Sequence, residues 1–241
     1  MIAITLSLGR WQLSRAAQKE ALQAGIEAQQ RHPPLDMAAF LSIEQPATEL
    51  HRAVHVRGLW LSAQTVYLDN RQMHGVPGFY VLTPLALEGT EQTLMVQRGW
   101  VQRNFLDRAR LPPVDTPAGL VDVEARIEPP PAHLLQLGAD PPARLAPDLA
   151  AQASQAADEA ASHIRQNLDL TAFRAETGLP LRTDVSLQQT GAASEGLQRD
   201  WPAPALGIEK HYGYAFQWFG LAGLLALLYV WFQLIAPRRR R

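Results

Sequence analysis

The spacing of apolar residues changes along this 241-residue chain, and each change predicts a different kind of element. From Trp11 to Arg31, charged Arg15, Lys19, Glu20 and Glu27 interleave with Leu13, Ala16, Leu22 and Ile26, which predicts a helix. His32-Pro33-Pro34 ends it, because the residue before proline is pushed out of the helical region. Asp36 is placed to cap a short helix running to Leu41. The period then becomes two: Ala53–Trp60 and Thr65–Asp69 alternate as strands. Asn70 to Gly78 is rich in turn residues, and Phe79–Leu85 reads as the next strand. Glu88-Gly89-Thr90-Glu91 predicts a hairpin loop before a strand over Thr93–Arg103, and Gly119–Ile127 is another strand. Leu168–Thr177 reads as a helix, Leu181–Gln189 as a returning strand, and Gly191–Gly207 as a linker.

Periodicity disappears near the C-terminus. Tyr214 to Ile235 is an uncharged apolar run of 22 residues, followed by Pro237 and Arg238–Arg241. As a helix, that run reaches about 33 Å, enough to cross a bilayer core of about 30 Å. Four arginines at its exit are retained on the cytoplasmic side, so the preceding polar region is expected outside. At the other end, the apolar stretch Met1–Leu8 is too short to span. Two readings fit it: a buried or interfacial helix start, or the outer part of a first transmembrane helix that begins upstream of Met1. Export of the central region favours the second.

The expected fold is therefore a membrane-anchored α+β protein, in which a small antiparallel β-sheet or barrel is flanked by two transmembrane helices. Residues 1–12 form the remnant of the first helix and 13–33 lead out of the membrane. Residues 34–207 form a periplasmic β-rich domain, 212–235 the second span and 236–241 a cytoplasmic basic tail. Pro129 to Ser162, Pro-rich and then Ala/Gln-rich, reads as an exposed insertion in that domain.

Composition narrows the chemistry. The formal net charge is −1, so no global field draws nucleic acid to the chain. There is no cysteine, which excludes disulfides, thiolate nucleophiles and Cys-ligated metals. No P-loop, G-x-S-x-G or H-E-x-x-H pattern occurs. His51 and His55 would share a strand face as metal ligands do, but no third ligand joins them, and scattered surface histidines is the stronger reading. Arg57, Arg71, Arg98 and Arg103 could bind propionates bidentately, but for most of them solvation or pairing with local acids such as Asp69 is the stronger reading. His211 stands among Tyr212, Tyr214, Phe216 and Trp218 at the mouth of the C-terminal span. Two readings fit that setting: an interfacial aromatic belt with a solvated imidazole, or an axial ligand to a haem iron.

Five blocks in order resemble the surfeit-locus family of cytochrome oxidase assembly proteins. They are Leu8-Gly-Arg-Trp-Gln-Leu-Ser-Arg15 with Lys19; Arg57-Gly58; Leu68-Asp-Asn-Arg71 through Gly75, Gly78-Phe79 and Val81–Leu85; Val96-Gln-Arg-Gly-Trp-Val-Gln-Arg103; and His211, Tyr214, Trp218-Phe219 and Leu221. The resemblance implies two membrane helices around a periplasmic domain in the bacterial inner membrane. It implies a non-enzymatic factor that binds haem a at the outer membrane face and assists its insertion into cytochrome c oxidase subunit I. The implied ligand to the haem iron is His211, with Tyr214 and Trp218 beside the group; Glu209 stands where the family often has Asn. The implied partners are subunit I, the haem a synthesis machinery and the lipid bilayer, not nucleic acid. The alternative is a protein-binding chaperone that stabilises an oxidase assembly intermediate without holding haem.

Overall fold

The computed structural model describes residues 1–106, 111–132, 163–203 and 206–235. The expectations for residues 133–162 and for the basic tail 236–241 lie outside the described residues. The chain divides into two compact units, Met1–Ala28 with Ala203–Arg241, and Gln29–Pro202.

In the second unit the elements are α2 (Met37–Ser42), β1 (Ala53–Trp60), β2 (Val66–Met73), β3 (Val76–Leu87), β4 (Thr93–Gln102), β5 (Leu120–Glu128), β6 (Ile164–Arg165), α3 (Leu170–Thr177) and β7 (Ser186–Gln189). The sheet runs β1-β5-β7-β4-β3-β2-β6, and an additional β1–β3 pairing closes five of these strands into a barrel-like ring. The length of β3 makes the closure possible. One of its edges pairs with β4 from Gly78 to Ala86, while the other pairs with β2 up to Leu82 and with β1 at Leu85–Leu87. Closure leaves these strands without the free edge that invites aggregation.

The sheet is mixed rather than antiparallel as expected, since β4–β7 and β2–β6 are parallel pairs. Parallel neighbours need a long connection, and both pairs join strands far apart in the chain: β5, β6 and α3 lie between β4 and β7, and β3, β4 and β5 between β2 and β6. The turn expected over Asn70–Gly78 is also two separate features. Asn70, at φ 59°, sits at a bulge between Leu68 and Arg71, and β2 then continues to Met73. The reversal itself uses only His74 (φ 51°) and Gly75 (φ 79°), the paired positive angles of a tight hairpin.

The barrel interior holds Val54, Val56, Leu85, Leu94, Val96, Val123, Ile127 and Leu187, with Phe40 of α2 packed against them. Asp36 caps α2 through Ala39 N at 2.7 Å, as its position predicted. A second cluster, Leu68, Leu82, Met95, Leu168, Phe173 and Leu181, buries the other side of β2, β3 and β4 against α3. β3 and β4 are therefore buried on both faces over most of their length and β2 only over Val66–Leu68, whereas β1 alternates between core and solvent.

Residues 191–202 are not the expected linker. Gln198 bridges Trp100, Leu197 is buried, and the Trp201 indole donates to the Gln189 carbonyl at 2.8 Å. Gly99 admits this segment: a Cβ there would lie 2.7 Å from Leu197 Cβ and 2.8 Å from the Gln198 carbonyl oxygen.

The first unit contains α1 (Ile2–Arg31) and α4 (Ile208–Val230), the latter extended by a π turn over Trp231–Ile235. Ile208–Gln233, 26 residues containing an 18-residue window of mean hydropathy 1.6, is long and apolar enough to cross a membrane. Its large side chains are exposed, among them Phe216 (80%), Leu227 (70%) and Phe232 (64%), as lipid-facing groups are. By contrast α1, a single unbroken helix across the expected boundary at 12/13, is not clearly apolar: it carries Arg10, Arg15, Lys19, Glu20, Glu27 and Arg31.

Candidate functional site

His211, Tyr214 and Trp218 lie within α4 at i, i+3 and i+7, so they share one helix face. Helix α4 starts at Ile208, behind Gly207 in the left-handed region, which places His211 in its first turn rather than ahead of it. His211 and Trp218 are half-buried and Tyr214 is exposed. Ala215 and Ala222, near the same face, are buried.

On α1 the residues Thr5, Gly9, Gln12 and Ala16 recur at helical spacing and form one stripe, of which Thr5, Gly9 and Ala16 are buried. Gly9 meets Phe219 of α4, since a Cβ on Gly9 would lie 2.7 Å from the ring. Small residues let two helix backbones approach, the usual device for helix pairing without a hydrophobic driving force in lipid. Polar bonds tie the same pair together. His211 Nδ1 lies 2.7 Å from Gln12 Oε1, the Tyr212 hydroxyl donates to Glu20 Oε1 at 2.8 Å, and Lys19 Nζ donates to the Leu206 carbonyl. His211 Nε2 has no hydrogen-bond partner among the described residues. The first and last blocks singled out in the sequence are thus brought into contact across 199 residues. The sequence reading quoted Gln12 within the first block but gave it no role; its signal was a long polar side chain in a stripe of small residues.

This arrangement offers one imidazole with a bare ring nitrogen, next to aromatic surface. The partner of that imidazole is a neutral amide, not the carboxylate that orients the histidine of a Ser-His-Asp triad. Among the described residues, the other histidines do not assemble a metal site. His51 Nδ1 pairs with Glu128 at 3.2 Å, His55 is exposed on β1, and no metal-holding group of His, Asp and Glu occurs among the described residues.

The arginines divide differently from expectation. Arg57 faces Glu88 and Asp122 at an exposed position, as anticipated. Arg98 instead is wholly buried. It donates to Thr116 Oγ1 (2.7 Å), the Asp115 carbonyl (2.7 Å) and Glu195 Oε2 (2.8 Å), with its guanidinium 4.8 Å from the Trp60 ring centroid. Arg199 donates to the Arg98 carbonyl and, at 3.4 Å, to the same Glu195 carboxylate. Burial lowers the Arg199 pKa, with Glu195 opposing that and Arg98 adding to it. Arg71 is buried as well and donates to the carbonyls of Ala132 and Gln166; burial lowers its pKa against the influence of Tyr80. These arginines tie loops to the barrel because their fixed fork of donors can satisfy several carbonyls at once.

The SURF1 family model matches residues 1–223, which include the barrel and the His211 site. The chain belongs to the SURF1 family. Among its relatives, the cytochrome oxidase assembly protein SHY1 of Saccharomyces cerevisiae is 25% identical over 101 residues, 42% of this chain and 26% of the yeast protein. A SURF1-like protein of Rickettsia felis is 32% identical over 100 residues, 40% of this chain and 41% of that protein. A SURF1-like protein of Rickettsia bellii is 25% identical over 235 residues, 94% of this chain and 85% of that one. The chain thus spans less than half of the yeast and Rickettsia felis relatives, and most of the Rickettsia bellii one.

Proposed function

We propose that this SURF1 family protein is a non-enzymatic assembly factor for a haem–copper cytochrome c oxidase, which carries haem a on His211 and assists its insertion into subunit I. The assembly role is supported by the yeast relative, whose name states it. The cargo is supported by one observation: His211 stands on an apolar helix with Nδ1 engaged and Nε2 without a partner. A neutral imidazole is a suitable axial ligand for iron, and Tyr214 and Trp218 on the same face offer aromatic surface to the porphyrin. The absence of cysteine in the sequence excludes thioether attachment and thiolate ligation. A group held by one coordinate bond can be released, as a carrier requires.

The barrel unit sits on the periplasmic side of the bacterial inner membrane in this reading, and the C-terminus in the cytoplasm. The haem a synthesis machinery is the donor, and subunit I the recipient.

The test is spectroscopic. Full-length protein purified in detergent and loaded with haem a should show a Soret band. His211→Ala should lose most of the bound haem and shift the band of any residue, with unchanged far-UV circular dichroism. Equal loading with an identical spectrum would remove His211 from the site. Failure of the wild type to take up haem a would leave the protein-binding chaperone, acting on an oxidase intermediate.

A further inference from the structure

We propose that Gln12 is a positioning residue for His211: its side-chain carbonyl accepts the Nδ1–H and so holds the imidazole in the tautomer whose Nε2 lone pair is free for iron. This inference rests on the haem-carrying reading, but its first test does not involve haem.

The geometry is specific. Gln12 Oε1 lies 2.7 Å from His211 Nδ1 in a part-buried contact between α1 and α4. Gln12 occupies the packed stripe of α1, three residues after Gly9 and four before Ala16. Its neighbours on that stripe are small, so the helices approach closely enough for an amide to reach an imidazole. Gly9 is one of the contacts that set this approach, since a Cβ there would strike the Phe219 ring. Gln12 therefore has a fixed place against His211, unlike a side chain waving in solvent.

The chemistry follows from the two faces of an amide. A glutamine presents a carbonyl acceptor on one side and two N–H donors on the other. With the carbonyl toward His211, Nδ1 carries the proton and Nε2 is bare. With the NH2 group toward it, Nδ1 must accept, the proton sits on Nε2, and coordination there is blocked. Unassisted histidine in water favours the Nε2–H form, so a carbonyl on Nδ1 reverses the intrinsic preference. Metal-bound histidines almost always donate their second ring N–H to a carbonyl, carboxylate or water, and loss of that partner typically weakens metal binding about 10–100-fold. A neutral amide gives this orientation without adding charge, so it pushes less electron density onto the imidazole than a carboxylate would.

Haem-free, full-length protein selectively labelled with 15N-histidine is the material for the first measurement. His211 is identified among the seven histidines by the resonances lost in His211→Ala. The expected spectrum has a protonated Nδ1 and an unprotonated Nε2. An Nε2–H form in the wild type would overturn the proposal whatever the protein does with haem. Gln12→Leu should shift the ring toward the Nε2–H form and weaken haem a binding about 10–100-fold. Gln12→Glu restores an acceptor. It should recover the Nδ1–H form and most of the affinity, and lower the midpoint potential of the bound haem, because the carboxylate makes the imidazole a stronger donor. A purely structural Gln12 would give the same tautomer and potential in every folded variant, and that result also overturns the proposal. If the wild type binds no haem while the tautomer is as expected, the carrier reading fails and the positioning of His211 stands.

Discussion

Glu195 is the only carboxylate bonded to the buried Arg98 among the described residues, and its removal should destabilise the barrel sharply. The Arg98 side chain is 0% exposed and Glu195 19%, at 2.8 Å. Glu195→Ala leaves a guanidinium in the core with two neutral acceptors, Thr116 Oγ1 and the Asp115 carbonyl, and with its Nε already unpartnered. It also removes a contact of Arg199 at 3.4 Å. Deleting one partner of a buried ion pair costs about 3–5 kcal/mol, and the residual exposure of Glu195 lets water soften this to about 3. At roughly 2–4 °C per kcal/mol for a domain of this size, the melting midpoint should fall by about 6–12 °C. Near-UV circular dichroism of the detergent-solubilised chain reads this directly, because Trp60 lies against Arg98. Glu195→Gln keeps an acceptor oxygen but not its charge, so it should fall between the two, charge-assisted bonds being about twice as strong as neutral ones. Adding Arg98→Met to Glu195→Ala removes the stranded charge and should recover part of the loss. A Glu195→Ala midpoint within about 3 °C of wild type, near 1 kcal/mol, would refute the reasoning.

Alkaline pH should weaken the same unit. Burial raises the pKa of Tyr67 and Tyr80 above 10.0, with Arg98 and Arg71 respectively pulling back. The unfolded phenols therefore lose their protons first, and the unfolded state binds fewer protons than the native one, so stability falls as pH rises past about 10. The melting midpoint should decline less steeply there in the Tyr67→Phe/Tyr80→Phe variant; parallel slopes would contradict this. Topology is open to a direct test because the chain has no cysteine. Glu91→Cys, in the exposed β3–β4 loop, should react with a membrane-impermeant maleimide in intact spheroplasts, and labelling only after lysis would invert the proposed orientation.

Local elements were legible in the chain because their causes are local. Alternation marked β1, turn residues marked the β3–β4 hairpin, and Asp36 marked the start of α2. The apolar run at the C-terminus marked the one helix fit to cross a membrane among the described residues. Tyr214 and Trp218 were legible as part of the apolar run, but only the start of α4 at Ile208 put His211 on the same helix face. The bulge at Asn70 was not separable from the turn at His74-Gly75, because the same residue types serve both and only pairing with β3 distinguishes them.

What the sequence by itself determined was which segments prefer helix or strand, and which of them is apolar enough for a bilayer. Tertiary structure alone decided how those segments meet. Closure of the barrel through β1 and β3, and the parallel seating of β7 on β4, depend on backbone edges that carry no residue signature. The burial of Arg98 was invisible because its acceptors, Asp115, Thr116 and Glu195, come from distant loops that look solvated in one dimension. The same is true of Gln12 and His211, whose contact spans 199 residues. Periodicity can assign a side chain to a face, but only packing selects what that face will touch.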